Sequence, residues 1–445
     1  MKWWNQRKNR KYGILLLIAF LLASAAFLQN RKSERDLPQP IELRIGLFAG
    51  SNWDVPAGNT YAVIDAAIRN FEQTHENVHV RYVSGIQKED YSEWLAEELI
   101  KGEEPDVFFI LSDDFELYAS IGALMDLTPW LEEDQTIDTE HYYPTALACG
   151  IYEGVQEALP IECNPTLMFV NKTLLEKEGI SVPENDWTWT DFLEICRRVT
   201  RDTDGDGVLD QFGCYDFSWR HASVTNGVPL FRPDGRASYF ADPRMEETLR
   251  FMMELHSLEK GHEVTSKDFD TGKVAFRPFT FAEYRTYKPY PWRIKKYTSF
   301  EWDCIKLPAG PSGKNTTVLG TLLVGISART PHQELAWEFL KKLCYDYDQQ
   351  QNVLRESQGL SPRRDIMRAK AAELLPEKDR TEQEEIDLRI VGDVMDESVS
   401  APSFKRYEGA MLLADNEIRK ILNGSVPFHN SLNKLQKEVN AYLQY

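Results

Sequence analysis

Basic residues are in short supply: 51 Lys and Arg stand against 70 Asp and Glu, giving a net charge of −19 over 445 residues. The shortage in the body is sharper, because residues 1–35 hold eight of the basic side chains against Glu34 alone and leave −26 for the rest. A body that acidic repels phosphate backbones and anionic lipid, so nucleic-acid binding is excluded. Also missing are a phosphate-cradling glycine loop, a nucleophile elbow and a dinucleotide glycine fingerprint, which leaves the corresponding chemistries without their usual framework. The six cysteines, Cys149, Cys163, Cys196, Cys214, Cys304 and Cys344, fit no short metal spacing. Export would permit disulfides among them, but a domain large enough to hold itself together by its core favours buried free thiols. No internal repeat or long low-complexity tract occurs.

What is present describes a folded, exported protein. A hydrophobic share of 42% and a charged share of 27% belong to globular chains, and the length suits two domains of roughly 150–200 residues. Lys2, Arg7, Lys8, Arg10 and Lys11 precede an uncharged run from Tyr12 to Asn30, and Arg31 and Lys32 follow it. That is an export signal whose positive end stays in the cytoplasm. The run is near the lower limit of ~17 residues for a membrane span, which favours an uncleaved anchor, while Ala23-Ser24-Ala25 offers a cleavage site as the alternative. Either way the body lies outside the cytoplasmic membrane, tethered or secreted.

Along that body, IELRIGLF from Ile41 reads as a first strand, followed by the Gly- and Asn-rich loop GSNWDVPAGNT. A helix is expected over 61–74, a strand over 78–83, a helix over 91–101 and an apolar strand in PDVFFIL. The alternation predicts a mainly parallel sheet covered on both faces, with ligands outside the carboxyl ends of its strands. Trp53, Asp54, Asp113 and Asp114 fall at those ends. The stretch ALPIECNPTLMFVNKTLLEKEGI, from Ala158, then reads as an extended segment and strand that end in a helix capped at Asn171.

Leu-Pro followed by NK eleven residues after the proline, and a helix ending in KEGI, resembles the first crossing between lobes in extracellular solute-binding proteins of the carbohydrate ABC-transporter type, the maltose-binding-protein-like family 1. PDVFFILSDDFELYASIGALMDLTPW, WTWTDFLEICRRVTRDTDGDGVLDQFG, the segment from EWDCIKLPAG through the helix AWEFLKKL, and GLSPRRDI are similar to the same family, in order, over about residues 41–445. The resemblance implies an α/β, two-lobe periplasmic-binding-protein-like fold of type II with three crossings. It places residues 41–162 with 308–360 in lobe 1 and residues 163–307 with 361–445 in lobe 2. It implies a monomer that binds a carbohydrate by hinge closure, needs no cofactor, performs no catalysis, and hands the ligand to ABC permease subunits in the membrane. The rivals are an exported glycoside hydrolase and a ligand-sensing domain working with a membrane partner.

In that family the first crossing floors the cleft, which nominates Glu162 and Asn164, and the second crossing adds Gly320 and Thr321. A pyranose has an apolar C–H face and a rim of hydroxyls, so flat rings together with carboxylates or amides match it. Trp53 and Trp219 sit in polar, turn-like contexts suited to such a ring, and Arg220 beside Trp219 is a hydroxyl partner. Phe279, Phe281 and Tyr284, in an aromatic run that continues through Tyr287, Tyr290 and Trp292, follow a strand that leads into the family's cleft.

Two further patterns have defined chemistry. Asp202, Asp204, Asp206 and Asp210 occupy alternate positions of a calcium loop, with Gly207 at the sharp turn and Val208 offering a carbonyl. Gly213 replaces the final bidentate Glu, so a structural calcium competes with a plain Asp-Gly turn, and Asp216 is a candidate for the missing ligand. His75 to His79 spells HExxH, but Val78, Val80 and Tyr82 alternate with His79 and Arg81. The second histidine therefore belongs to a strand and cannot converge with the first on zinc.

Overall fold

The computed structural model describes residues 40–55, 60–287, 300–370, 388–402, 404, 406–428 and 430–444. The N-terminal export segment, Tyr290, Trp292 and the side chain of Tyr287 lie outside them. Among the described residues no helix is long and apolar enough to cross a membrane.

Among the described residues ten strands are interspersed with helices: β1 (Ile41–Gly46), β2 (Val78–Tyr82), β3 (Val107–Ile110), β4 (Ile151–Tyr152), β5 (Val155–Gln156), β6 (Ala158–Asn171), β7 (Phe212–Cys214), β8 (Val274–Thr280), β9 (Trp302–Ile305) and β10 (Leu319–Ile326). The helices used below are α1 (Thr60–Thr74), α2 (Lys88–Lys101), α3 (Trp189–Val199), α4 (Trp219–Thr225), α5 (Phe281–Tyr287), α6 (Gln333–Cys344), α7 (Tyr347–Glu356) and α8 (Tyr407–Leu422). The main path runs β2-β1-β3-β10-β6-β8-β7, with β9 also on β6. Sequence alternation predicts a mainly parallel sheet; the structure has a mixed one. β1 pairs with β2 and β3 in parallel, as does β7 with β8, but every pairing of β6 and β10 is antiparallel. The reason is topological: β6 leaves one half of the molecule and β10 returns to it.

Burial shows what those two strands join. Leu43, Phe108, Leu159, Leu323 and Leu340 belong to one buried cluster, and Phe169, Phe192, Phe276, Leu319 and Ile418 belong to another. Along β6 the first cluster ends at Ile161 and the second begins at Cys163; along β10 the change falls between Leu319 and Leu322. Within the last turns of α7 the chain changes core again, from Val353 to Leu354. Two cores and three passages make this the two-lobe, type II binding-protein fold.

Local chemistry supports the elements. Asn171 caps the helix after β6 by accepting from the Leu174 N–H at 2.9 Å. Thr188 and Asp191 form a reciprocal capping box at the start of α3. His75 lies just past α1 and bonds Glu338, whereas His79 lies within β2, so HExxH assembles no metal site. All six cysteines are free thiols, five of them buried.

Candidate functional site

Thirteen of the fourteen residues of β6 are buried, so the strand is covered on both faces and each polar side chain in it must find partners. Asn171 does so through its cap and through the carbonyls of Gly272 and Val274. Asn164, 5% exposed, accepts from the Ala282 N–H at 2.9 Å and so ties the crossing to the start of α5. Glu162, 8% exposed, accepts from the Trp53 indole at 2.7 Å and from the Gly359 N–H. Burial pushes its carboxyl above the ordinary range, while those donors and the nearby Arg285 charge pull the other way.

Trp53 reaches this point from the loop after β1. Lys88, at the first position of α2, fixes that loop by donating to the Asn52 carbonyl and to Asp54 Oδ1, both at 2.6 Å. The indole lies on Gly320, where a Cβ would come within 3.0 Å of ring atom Cζ3, and Gly320 pairs with Asn164. Trp53, Glu162, Asn164 and Gly320 thus meet where β6 and β10 pass between the lobes.

Other expected residues are placed differently. Glu162 and Asn164 were expected to present their side chains to a solute, yet Glu162 Oε1 and the Asn164 side-chain oxygen are both committed within the protein. Thr321 is 4% exposed, with its hydroxyl 3.4 Å from Cys149 Sγ, so it packs beneath the crossing. Trp219 is 7% exposed and packs in the second core, its indole donating to Asp415 at 2.9 Å, which corrects the expectation of a turn-like ring. Ser218 is the N-cap of α4, so Trp219 is its first helical residue and turns inward. Phe279, Phe281 and Tyr284 are likewise core residues. Arg220 donates to both Asp415 oxygens, at 3.2 and 2.5 Å. Asp114 accepts from Ser92 at 2.5 Å, and burial raises its pKa. Asp113 is exposed at the end of β3, and its charge is felt by Tyr407 and Glu408 at the start of α8.

Three residues were not singled out from the sequence: Arg285, Asp415 and Glu408. Arg285, on α5, donates to the carbonyls of Leu354 and Ser357 at the end of α7. Its one sequence signal was a cation inside an aromatic run, and its guanidinium does lie 5.3 Å from the Phe281 ring.

In the aspartate loop, the carboxylates of Asp202, Asp204 and Asp206 lie within 4.8 Å of one another. Asp202 accepts from the Gly205 and Gly207 N–H groups at 2.6 and 2.7 Å, which lowers its pKa. Asp210 turns instead to Thr203, accepting from its N–H at 2.9 Å and its hydroxyl at 2.6 Å. Asp216 sits in the field of Arg277 and Glu283.

A family model described as bacterial extracellular solute-binding protein matches residues 55–343. The fold is similar to that of the sugar-binding protein MalE from Xanthomonas citri, with a TM-score of 0.73 at 16% identity over 91% of this chain and 97% of that one. It is also similar to the cyclic alpha-maltosyl-1,6-maltose binding protein from Arthrobacter globiformis, with a TM-score of 0.73 at 18% identity over 91% and 99% of the two chains. An uncharacterized lipoprotein in the oleD 5′ region of Streptomyces antibioticus is 23% identical over 328 residues, 68% of this chain. The match spans 66% of that relative, just under two thirds of its length.

Proposed function

Because the chain belongs to the family of bacterial extracellular solute-binding proteins, we propose that it captures a carbohydrate between its lobes by hinge closure and delivers it unaltered to an ABC permease. The observation that carries this reading is the half-buried Trp53 ring, seated on Gly320 where two chain passages meet. A flat apolar face at that place suits the C–H side of a pyranose, and Asp113, exposed at the end of β3, offers a hydroxyl partner, while Arg220 is engaged by Asp415. Both solved relatives named above carry a sugar in their description, which supports the substrate class. Closure follows from differential contacts, since a ligand that touches both lobes favours the state that brings them together.

The lobes in this proposal divide first at Glu162; the second and third bounds move from 307/308 and 360/361, the divisions expected for residues 41–162 with 308–360 and 163–307 with 361–445, to where the cores change, between Leu319 and Leu322 and between Val353 and Leu354. The protein works as a monomer, held outside the cytoplasmic membrane by its N-terminal segment. A thermal-shift screen against mono- and oligosaccharides tests the function. A glycan at 100 times its dissociation constant stabilises by about 2.7 kcal/mol, and the bound glycan is recovered intact. A panel in which no glycan moves the melting point, or one in which the glycan is cleaved, rejects the proposal.

The Asp202, Asp204 and Asp206 carboxylates, with the Val208 carbonyl, form the proposed calcium site, structural in role. Adding Ca²⁺ to chelator-treated protein is expected to raise the melting temperature, and Asp204→Asn to abolish the rise. Calorimetry showing no heat of Ca²⁺ binding to the parent removes the ion.

A further inference from the structure

Glu162 is a carboxylate in a costly place, buried in mid-strand where an aliphatic side chain would pack without a desolvation penalty. One of its oxygens, Oε1, joins parts of the chain that are far apart in sequence. It accepts from the Trp53 indole in the loop after β1 and from the backbone N–H of Gly359 on the third passage. The second contact requires glycine, because a Cβ at Gly359 would fall 2.4 Å from that oxygen. Beside it, Cys163 and Leu360 exchange two backbone hydrogen bonds of 2.8 Å, so the first and third passages run as a pair. With its N–H held, the Trp53 ring lies against Gly320 and stays only partly buried.

We propose that Glu162 is a positioning residue that couples the Trp53 ring to the hinge. The same oxygen orients the ring and sets the spacing between the first and third passages, so a ligand pressing on the ring acts directly on the hinge. The proposal rests on the carbohydrate-binding reading for what the ring meets, but the coupling is a property of the empty protein and is measured there.

Acrylamide quenching of the fluorescence lost in Trp53→Phe reports the exposure of that ring, and small-angle scattering of the unliganded protein reports the separation of the lobes. Glu162→Leu is expected to raise the quenching constant about twofold and to change the radius of gyration. Glu162→Gln keeps an acceptor oxygen and is expected to match the parent in both. With maltotriose as the probe, Glu162→Leu is expected to weaken binding by about tenfold, the low end for one hydrogen bond to a charged group, and Glu162→Gln by no more than about threefold. Should Glu162→Leu fail to fold, Gly359→Ala displaces the carboxylate from the other side and is expected to raise the quenching in the same way. A folded Glu162→Leu or Gly359→Ala variant with parental quenching and scattering overturns the coupling. If no glycan binds the parent, the carbohydrate reading fails, and the quenching and scattering still decide the coupling.

Discussion

Arg285→Met is expected to lower the unfolding free energy by about 3–5 kcal/mol, the range for removing one member of a buried charge network. The guanidinium is buried deeply enough that its pKa falls to about 10, with the nearby Glu162 charge opposing the fall. It sits where the last turn of α7 leaves carbonyls without intrahelical donors, and it donates to two of them, from Leu354 and Ser357. A cation there also meets the negative end of the helix dipole. Methionine fills most of the volume but leaves those carbonyls undonated and the Glu162 carboxylate without its cationic neighbour. Arg285→Lys keeps the charge but not the fork that spans both carbonyls, so its loss should fall between the parent and Arg285→Met. Urea unfolding at pH 7 measures all three; a Met variant within about 1 kcal/mol of the parent would show that water replaces the guanidinium without cost.

Arg285 also shows where reading the sequence stops. Elements defined by local chemistry were legible: the cap at Asn171, the strand at His79 that ruled out zinc, and the passage GLSPRRDI, whose Leu360 pairs with Cys163. Each depends on neighbours a few residues away or on a pattern that a whole family shares. The partners of Arg285 lie 69 and 72 residues along the chain and are backbone carbonyls, which carry no signature of their own. The parallel-sheet expectation failed for a related reason. Alternation of strand and helix describes each lobe locally, but the direction of β10 beside β6 depends on how often the chain changes lobes.

At the site, the residue types were legible and their duties less so. Glu162 was picked out as a polar group in an apolar strand, yet its burial turns a hydroxyl partner into an internal acceptor for Trp53 and Gly359. Trp219 was read as exposed because Ser218 and Arg220 flank it. The same Ser218, read with His221 three residues on, spells a helix cap, and a residue at the first position of a capped helix can face a core. Arg220 was read as a free hydroxyl partner, and Asp415, 195 residues away, holds it.

His221 gives the second large effect, and it depends on pH. Its Nδ1 accepts from the Ser218 N–H at 3.1 Å, which closes the cap of α4 and requires that nitrogen to be unprotonated. Burial, and then the Arg220 charge beside it, lowers its pKa to about 4. A histidine whose folded pKa lies below its unfolded value of about 6.5 favours folding above pH 6.5, and the contribution fades as pH falls toward 4. The loss is expected to reach about 3 kcal/mol, from 1.36 kcal/mol per pKa unit. Glu157 and Glu259, raised by burial to about 7, oppose it: each favours folding at low pH and loses that contribution as pH climbs from about 4.5 to 7. The parent profile is therefore a sum, and the informative quantity is its difference from His221→Asn, whose amide oxygen occupies the place of Nδ1 and does not titrate. Urea unfolding at pH 4, 5, 6.5 and 7.5 should show the parent losing up to about 3 kcal/mol relative to the variant across that span. Parallel profiles would mean that the ring ionises freely in the folded state. If Arg220 meets the ligand, as expected from the sequence, the acid loss also reaches binding, because the helix that Ser218 and His221 cap carries Arg220, and loosening its first turn releases the two bonds to Asp415. Binding of a neutral glycan should accordingly weaken in the parent below pH 5 and hold in His221→Asn.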